Sequence, residues 1–247
     1  LTEQGEDLYL TAHNIFHQLA MAEARLTDSR ERPQGALKIT TTVGFGSVWL
    51  TPRIKEFLDL YPEIDVSIVL VYDNLDLSMR EADVAIRMKE PSQADLVRKR
   101  LMSVRMGLYA SPEYLEKHGT PARMEDMTDH RLICQNTDSD QVGAGLQLVK
   151  ELMMYDLRSL LTVNNYFGVL QGVVHHLGLG VLPNYLIQDF PHIVQVMPDI
   201  ESAEVPVYLA YPEELRQSKR VAAFKDFVQE EIITYRKQWR ELVEGEG

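Results

Sequence analysis

Several places in the chain combine residue types and spacing that do chemistry in other proteins. His13 and His17 stand at i, i+4 in His-Asn-Ile-Phe-His, the spacing at which two imidazoles on one helix face share a metal ion. A zinc protease adds a glutamate beside the first histidine; Asn14 stands there instead, and a solvated helix face is the better reading. Gly44-Phe45-Gly46-Ser47 follows a strand-like run, but its spacing fits neither the dinucleotide fingerprint nor the lysine-bearing nucleotide loop. What such a turn supplies is backbone N–H groups at a helix start, with the Thr42 and Ser47 hydroxyls beside them: a cradle for an anion or carboxylate. Asn164-Asn165 is a second strand-to-helix junction, whose amides either cap the helix or meet a ligand. Arg87 ends the run Val84-Ala85-Ile86. A guanidinium there implies either an anion at that strand's carboxyl end or a salt bridge with an acid such as Glu90.

The remaining reactive side chains assemble no catalytic set. His175 and His176 are neighbours and diverge by about 100° on a helix, so they cannot share one site. Cys134 has no second thiol and reads as a small buried hydrophobe. Arg98-Lys99-Arg100, with Arg105 beyond, reads as a solvated strand edge that resists pairing rather than as a phosphate track. No nucleophile, base and orienting group fall in a recognisable order. The expectation is a protein that is not an enzyme and needs no cofactor or metal.

These residues must be held by a folded scaffold, and the composition allows one. The 247 residues suffice for one large domain or two lobes, and 45% hydrophobic with 25% charged residues is ordinary for a globular chain. The net charge of −12 argues against general phosphate neutralisation by this chain. A single cysteine excludes an internal disulfide and fits a reducing compartment. No run approaches a membrane span, and the first ten residues carry Glu3, Glu6 and Asp7 where a secretory signal would be basic, so the expected location is the cytoplasm, without membrane contact. The chain opens on Leu1, which suggests a fragment or a trimmed product.

Periodicity then places the elements. Leu8, Ile15 and Ala22 recur every seven residues, as do Gly5, Ala12, Leu19 and Leu26. This is an a/d seam on a long helix, with Thr2 as its cap and Pro33 and Gly35 at its end. Strands are expected at 36–42, 64–70 and 84–87, with a helix that has Thr51 and Pro52 in its early turns and is stopped by Tyr61-Pro62, and another over 75–82. That βαβαβ order makes a parallel sheet. Further strands are expected at 104–110, 132–135, 160–164, 180–182 and 205–211. Helices are expected from Ser111-Pro112 to Lys117, from Asn165 to Leu177 ending at Gly178, and from Leu215 to about Trp239.

Leu1-Thr-x-x-Gly5, Gly35-Ala-Leu-Lys-Ile39, Leu50-Thr-Pro52, Phe57-x-x-x-Tyr61-Pro62, Asp83-Val-Ala-Ile-Arg87, Ala110-Ser-Pro-Glu-Tyr-Leu115 and Gly178-Leu-Gly-Val-Leu-Pro183 together resemble LysR-type transcriptional regulators in order and spacing. The resemblance implies an α/β fold like that of type 2 periplasmic binding proteins: two Rossmann-like lobes joined by two crossover strands, preceded by a long linker helix. The implied division is 1–34 as linker helix, 35–110 with 207–240 as lobe I, and 111–206 as lobe II, with hinge crossings near Tyr109 and Leu209. It implies a winged helix-turn-helix DNA-binding domain ahead of Leu1, a homodimer or homotetramer built through the linker helix and effector domains, and DNA contact only through that absent domain. The implied partner is a small effector, with a carboxylate favoured, held between the lobes. Its contacts by position are Thr42, Val43, Phe45, Gly46 and Ser47 at the first turn, Tyr72 and Asn74 after the second strand, Tyr109 at the crossing, and Asn136, Asn164 and Asn165 from lobe II. Phe45, Tyr72 and Tyr109 would add an apolar wall. The rival reading is a stand-alone solute-binding protein of the same fold.

Overall fold

The computed structural model describes residues 2, 4–5, 8, 11, 15, 32–71, 82–93, 95–135, 144–154, 158–202 and 204–244. Most of the expected linker helix lies outside these residues, as do Tyr72, Asn74, Asn136, His13, His17 and positions 75–81 of the helix expected at 75–82. At the start of the chain, Gln4, Gly5, Leu8, Thr11 and Ile15 are helical, and the Gly5 N–H donates to Thr2 Oγ1 at 3.2 Å, the cap read from the sequence.

The chain forms two units, each with its own five-stranded sheet. The first unit takes Leu1–Thr42, Arg53–Leu101 and Tyr208–Gly247; the second takes Val43–Pro52 and Met102–Val207. The chain therefore passes between units at 42/43, 52/53, 101/102 and 207/208. The passage at 207/208 is close to expectation, whereas that at 101/102 falls earlier than Tyr109, which belongs wholly to the second unit. Residues 43–52 also group with the second unit, not with lobe I as the resemblance implied.

In the first unit, β1 (Gly35–Thr41) pairs in parallel with β2 (Ile64–Leu70) from Gly35↔Ile64 to Thr41↔Leu70, and with β3 (Val84–Arg87) through Ile39↔Val84. β4 (Leu96–Val104) and β10 (Val205–Pro212) complete the order β2-β1-β3-β10-β4, with β10 antiparallel to β3. Leu37 and Ile39 are buried under the long helix α5 (Lys219–Glu244). α1 (Thr51–Leu60) joins that layer through Phe57, whose ring lies 5.6 Å from Phe224 and 5.2 Å from Phe227, and through the Arg53–Glu231 pair at 3.2 Å. Edge strand β4 exposes Arg98, Lys99 and Arg100 in succession, the solvated edge expected of that run.

In the second unit, β5 (Met106–Ala110), β6 (Arg131–Gln135), β7 (Arg158–Val163), β8 (Leu179–Pro183) and β9 (Val194–Glu201) follow the order β7-β6-β8-β5-β9. β6 runs parallel to β7 and β8, and β5 antiparallel to β8 and β9. α2 (Pro112–His118), α3 (Ala144–Met153) and α4 (Tyr166–Val174) supply the helices. As read from the sequence, Ser111 caps α2, accepting the Tyr114 N–H, with Pro112 in the first helical position.

α4 stops earlier than expected and for a different reason. The Leu177 N–H donates to Gly172 O and the His176 N–H to Val173 O, both at 3.0 Å, a Schellman closure with His176 at φ 60° in the left-handed position that glycine usually fills. Gly178 is not the helix stop; it opens β8. A Cβ there would lie 2.4 Å from the carbonyl oxygen of Arg131 on the neighbouring strand, so backbone proximity, not a turn, requires glycine.

Candidate functional site

The first candidate segment is built differently from the glycine turn its sequence suggests. After β1 the backbone is helical from Val43, and Phe45–Leu50 forms a π-helical turn that runs into α1. Pro52 explains the widening. It has no N–H to give, and its ring would strike the carbonyl four residues back, which a wider ladder relieves. Thr51 then directs both its N–H and its hydroxyl, the latter at 2.7 Å, to Gly46 O. Gly44 has φ −61° and ψ −50°, so no left-handed conformation is involved; a Cβ there would approach Tyr185 Oη to 3.3 Å and Tyr166 Cβ to 3.6 Å.

Phe45 departs from its expected place on a ligand-facing wall. Its side chain is fully buried, stacked on Trp49 at 4.7 Å and edge-on to Tyr185 at 5.4 Å. It anchors the segment to the second unit. Gly46 is buried as well, whereas Thr42, Val43 and Ser47 keep partial exposure. Alternation accounts for the neighbours of Thr42: Thr41 faces the side of Leu37 and Ile39, and its buried Oγ1 has no hydrogen-bond partner among the described residues.

The asparagine pair is ordered by its helix. Asn165 caps α4 through Oδ1, which accepts the Gly168 N–H at 2.8 Å, and its Nδ2 donates to Asn164 Oδ1 at 3.0 Å. Gln135 Nε2 reaches Asn164 O at 3.5 Å from the end of β6. Asn164 is exposed and Asn165 half-buried. Asn165→Ala is expected to destabilise the protein by about 1 kcal/mol, the usual cost of losing a cap, read as a lower denaturant midpoint at unchanged slope. Gly44 sits beside Tyr166, the first residue of α4, so within the second unit the helical segment after β1 meets the helix start that Asn164 and Asn165 flank.

Tyr109 is not gathered with them. It pairs with Gly180, which is level with Ile133 and Leu161, so it sits about 10 Å below the strand end that carries Asn164. Its side chain is 3% exposed. Residues at that end of the sheet which the sequence reading passed over are Gln135, Tyr166 and Tyr185; adjacency to Asn136 was the only sequence signal, and it pointed to Gln135 alone.

Arg87 lies inside the first unit at 6% exposure, its guanidinium donating to Thr40 Oγ1 at 2.9 Å and Ile86 O at 3.3 Å. Burial pushes its pKa down to about 10, so it stays charged at neutral pH. It does not form the proposed surface pair with Glu90, which lies 3.8 Å from Arg98 instead.

No catalytic arrangement emerges elsewhere. Ser111 Oγ and Glu113 Oε2 approach the same nitrogen of His176, Nδ1, at 2.9 and 3.5 Å, whereas a triad needs its nucleophile and its acid on opposite nitrogens. Cys134 is buried, and burial pushes its thiol up, which suppresses the reactive thiolate. Among the described residues no group of three or more His, Cys, Asp or Glu is placed to hold a metal, and no helix is long and apolar enough to cross a membrane.

Two discontinuous α/β units, each built on its own mixed sheet, define the fold class of type 2 periplasmic-binding-protein-like domains. The model of the LysR substrate binding domain matches residues 30–232, and the chain belongs to that family. It is 26% identical over 235 residues to an HTH-type transcriptional regulator of Xanthomonas campestris pv. campestris (strain 8004), covering 92% of this chain and 68% of that one. It is 33% identical over 133 residues to the HTH-type transcriptional regulator CrgA of Neisseria meningitidis serogroup C (strain 8013), covering 54% of this chain and 44% of that protein. The solved structure of CrgA, described as a LysR-type regulator from Neisseria meningitidis, superposes with a TM-score of 0.72 at 24% identity over 94% of this chain and 80% of CrgA, a likeness of fold. These relatives are transcriptional regulators, not enzymes.

Proposed function

We propose that this chain is the sensing part of a DNA-binding transcriptional regulator, and that it binds a small carboxylate at the start of α4. The observation that carries this reading is the approach of the segment after β1, at Gly44, to the helix start flanked by Asn164 and Asn165, within a domain of the LysR substrate-binding family. Helix starts favour negative charge because their first N–H groups lack partners. The Asn164 amide uses its oxygen on Asn165, leaving its N–H groups turned toward an acceptor. Thr42 adds a hydroxyl immediately before the segment. Tyr72, Asn74 and Asn136 complete the proposed contact set.

A regulator responds only if the effector binds one arrangement of the chain better than another. We further propose that the opening helix pairs two or more copies and carries the response to a DNA-reading domain. Leu8 and Ile15, both in the seven-residue rows, are 70% and 61% exposed in the single chain. The relatives' names favour this over a solute-binding protein.

Calorimetric titration with a panel of small mono- and dicarboxylates tests the site. Thr42→Ala and Asn164→Ala are each expected to weaken the best binder about tenfold, roughly 1.4 kcal/mol for a lost charge-assisted hydrogen bond, with folding stability unchanged. Full affinity in both variants would put the site elsewhere.

A further inference from the structure

α2 of the second unit is a short helix held at two places by histidines, His130 at its middle and His176 at its amino end. At its middle, Tyr114 is 1% exposed, and its hydroxyl takes part in two hydrogen bonds. The Arg131 N–H donates to Tyr114 Oη at 3.0 Å, and Tyr114 Oη lies 3.3 Å from Nδ1 of His130, itself 4% exposed. With the backbone N–H already supplying a donor, the arrangement that satisfies both groups points the phenol O–H at His130 and leaves Nδ1 unprotonated. A proton on Nδ1 turns that bond around and leaves the buried phenol O–H without its acceptor.

At the amino end of α2, His176 Nδ1 lies 2.9 Å from Ser111 Oγ and 3.5 Å from Glu113 Oε2. There Ser111 and Glu113 both face one ring nitrogen of His176. His176 occupies a left-handed backbone position at φ 60°, which disfavours a side chain with a Cβ; the contacts to α2 hold the imidazole in place.

We propose that α2 is an acid-responsive latch: protonation of His130 releases the helix at Tyr114, while His176 and Glu113 keep its amino end attached. The groups facing His130 are Tyr114 and His118 from α2, Asp126 and Asp129 from the turn before it, and its neighbour Arg131. His118, stacked on Tyr114 at 4.6 Å, opposes a second positive charge, and the two aspartates partly offset it. The groups facing His176 are Ser111 and Glu113 from α2 and its neighbour His175. Burial, aided by His118, holds His130 below the ordinary imidazole range. A group lowered on folding stabilises the fold above its unfolded pKa, and that contribution is lost as pH falls from about 6.5 toward the folded value.

Hydrogen exchange of the full chain, read at the amides of Leu115, Gly119 and Arg131, tests this, together with NMR titration of the imidazoles. Between about pH 7.5 and 5.5, after correction for intrinsic exchange, protection at these amides is expected to fall about tenfold while the strands of the second sheet keep theirs. His130→Gln retains an acceptor for Tyr114 without titrating, and its protection should stay flat. His176→Gly, which suits the left-handed backbone, should fall further than the parent. An equal fall in His130→Gln, or a fall shared by the whole sheet, overturns the latch. Should His130→Gln not fold, the parent decides: His130 titrating together with the loss of α2 protection supports the latch, and titration without any change in α2 overturns it.

Discussion

Gly178→Ala is expected to be among the most damaging single-atom additions this chain can receive, lowering stability by about 3 kcal/mol. The added methyl would stand 2.4 Å from the Arg131 carbonyl oxygen and 3.1 Å from its carbon. Both are backbone atoms of β6, which is pinned between β7 and β8, so neither can swing aside as a side chain can. The strands must separate locally, and the pairing of Leu132 with Leu179 is the first to suffer. Gly180→Ala provides the comparison. Its Cβ would meet Val173 Cγ2 at 2.6 Å and Val169 Cγ1 at 2.9 Å, which are side-chain atoms of α4 that can shift with their helix. Chemical denaturation of the two variants should rank Gly178→Ala as the less stable; the reverse order would mean that β6 yields more readily than α4.

Phe45→Ala should cost about 3 to 5 kcal/mol, the range for deleting a fully buried aromatic ring. The ring is 0% exposed and bridges Trp49 and Tyr185, so its loss opens a cavity at the root of the π-helical turn. This separates two roles within one short segment. Phe45→Ala is expected to lower the unfolding midpoint sharply, whereas Thr42→Ala, three residues earlier and partly exposed, should leave it nearly unchanged and act on ligand affinity instead. A Phe45→Ala variant as stable as the parent, but impaired in binding, would return Phe45 to the ligand.

The contrast marks how far the residues can be read without coordinates. Elements whose start is set by local chemistry were legible: Ser111 with Pro112 and Asn165 before an apolar run each sit where capping chemistry places them, whereas Thr51-Pro52 lies inside a helical run that already begins at Val43. The alternation of β1 and the apolar run of β3 likewise gave their strands. Burial across elements was not legible, because it depends on what packs opposite. Phe45 and Tyr109 look like any aromatic flanked by small residues, yet Trp49 with Tyr185 encloses one, and the other lies in an interior strand of the second sheet. The glycine before β8 was assigned to the helix stop because glycine is the usual left-handed residue there; His176 took that position, and its long-range contacts to Ser111 and Glu113 leave no sequence signal. β9 escaped for a related reason. Its pairing with β5 jumps from Val196 to Glu201 around Met197 at φ 49°, which breaks the alternation that would announce a strand.

The sheet order of the first unit bears on how the chain emerges from the ribosome. Among the described strands β10 comes latest in the chain, yet it stands between β3 and β4. Until residues 205–212 are available, the early strands of that sheet have no neighbour joining them to β4, whereas the segment 102–207 has already supplied every strand of the second sheet. The half that is synthesised first is thus completed last, its centre filled by a late arrival, and during that interval the apolar flanks of β3 need shelter from other nascent chains.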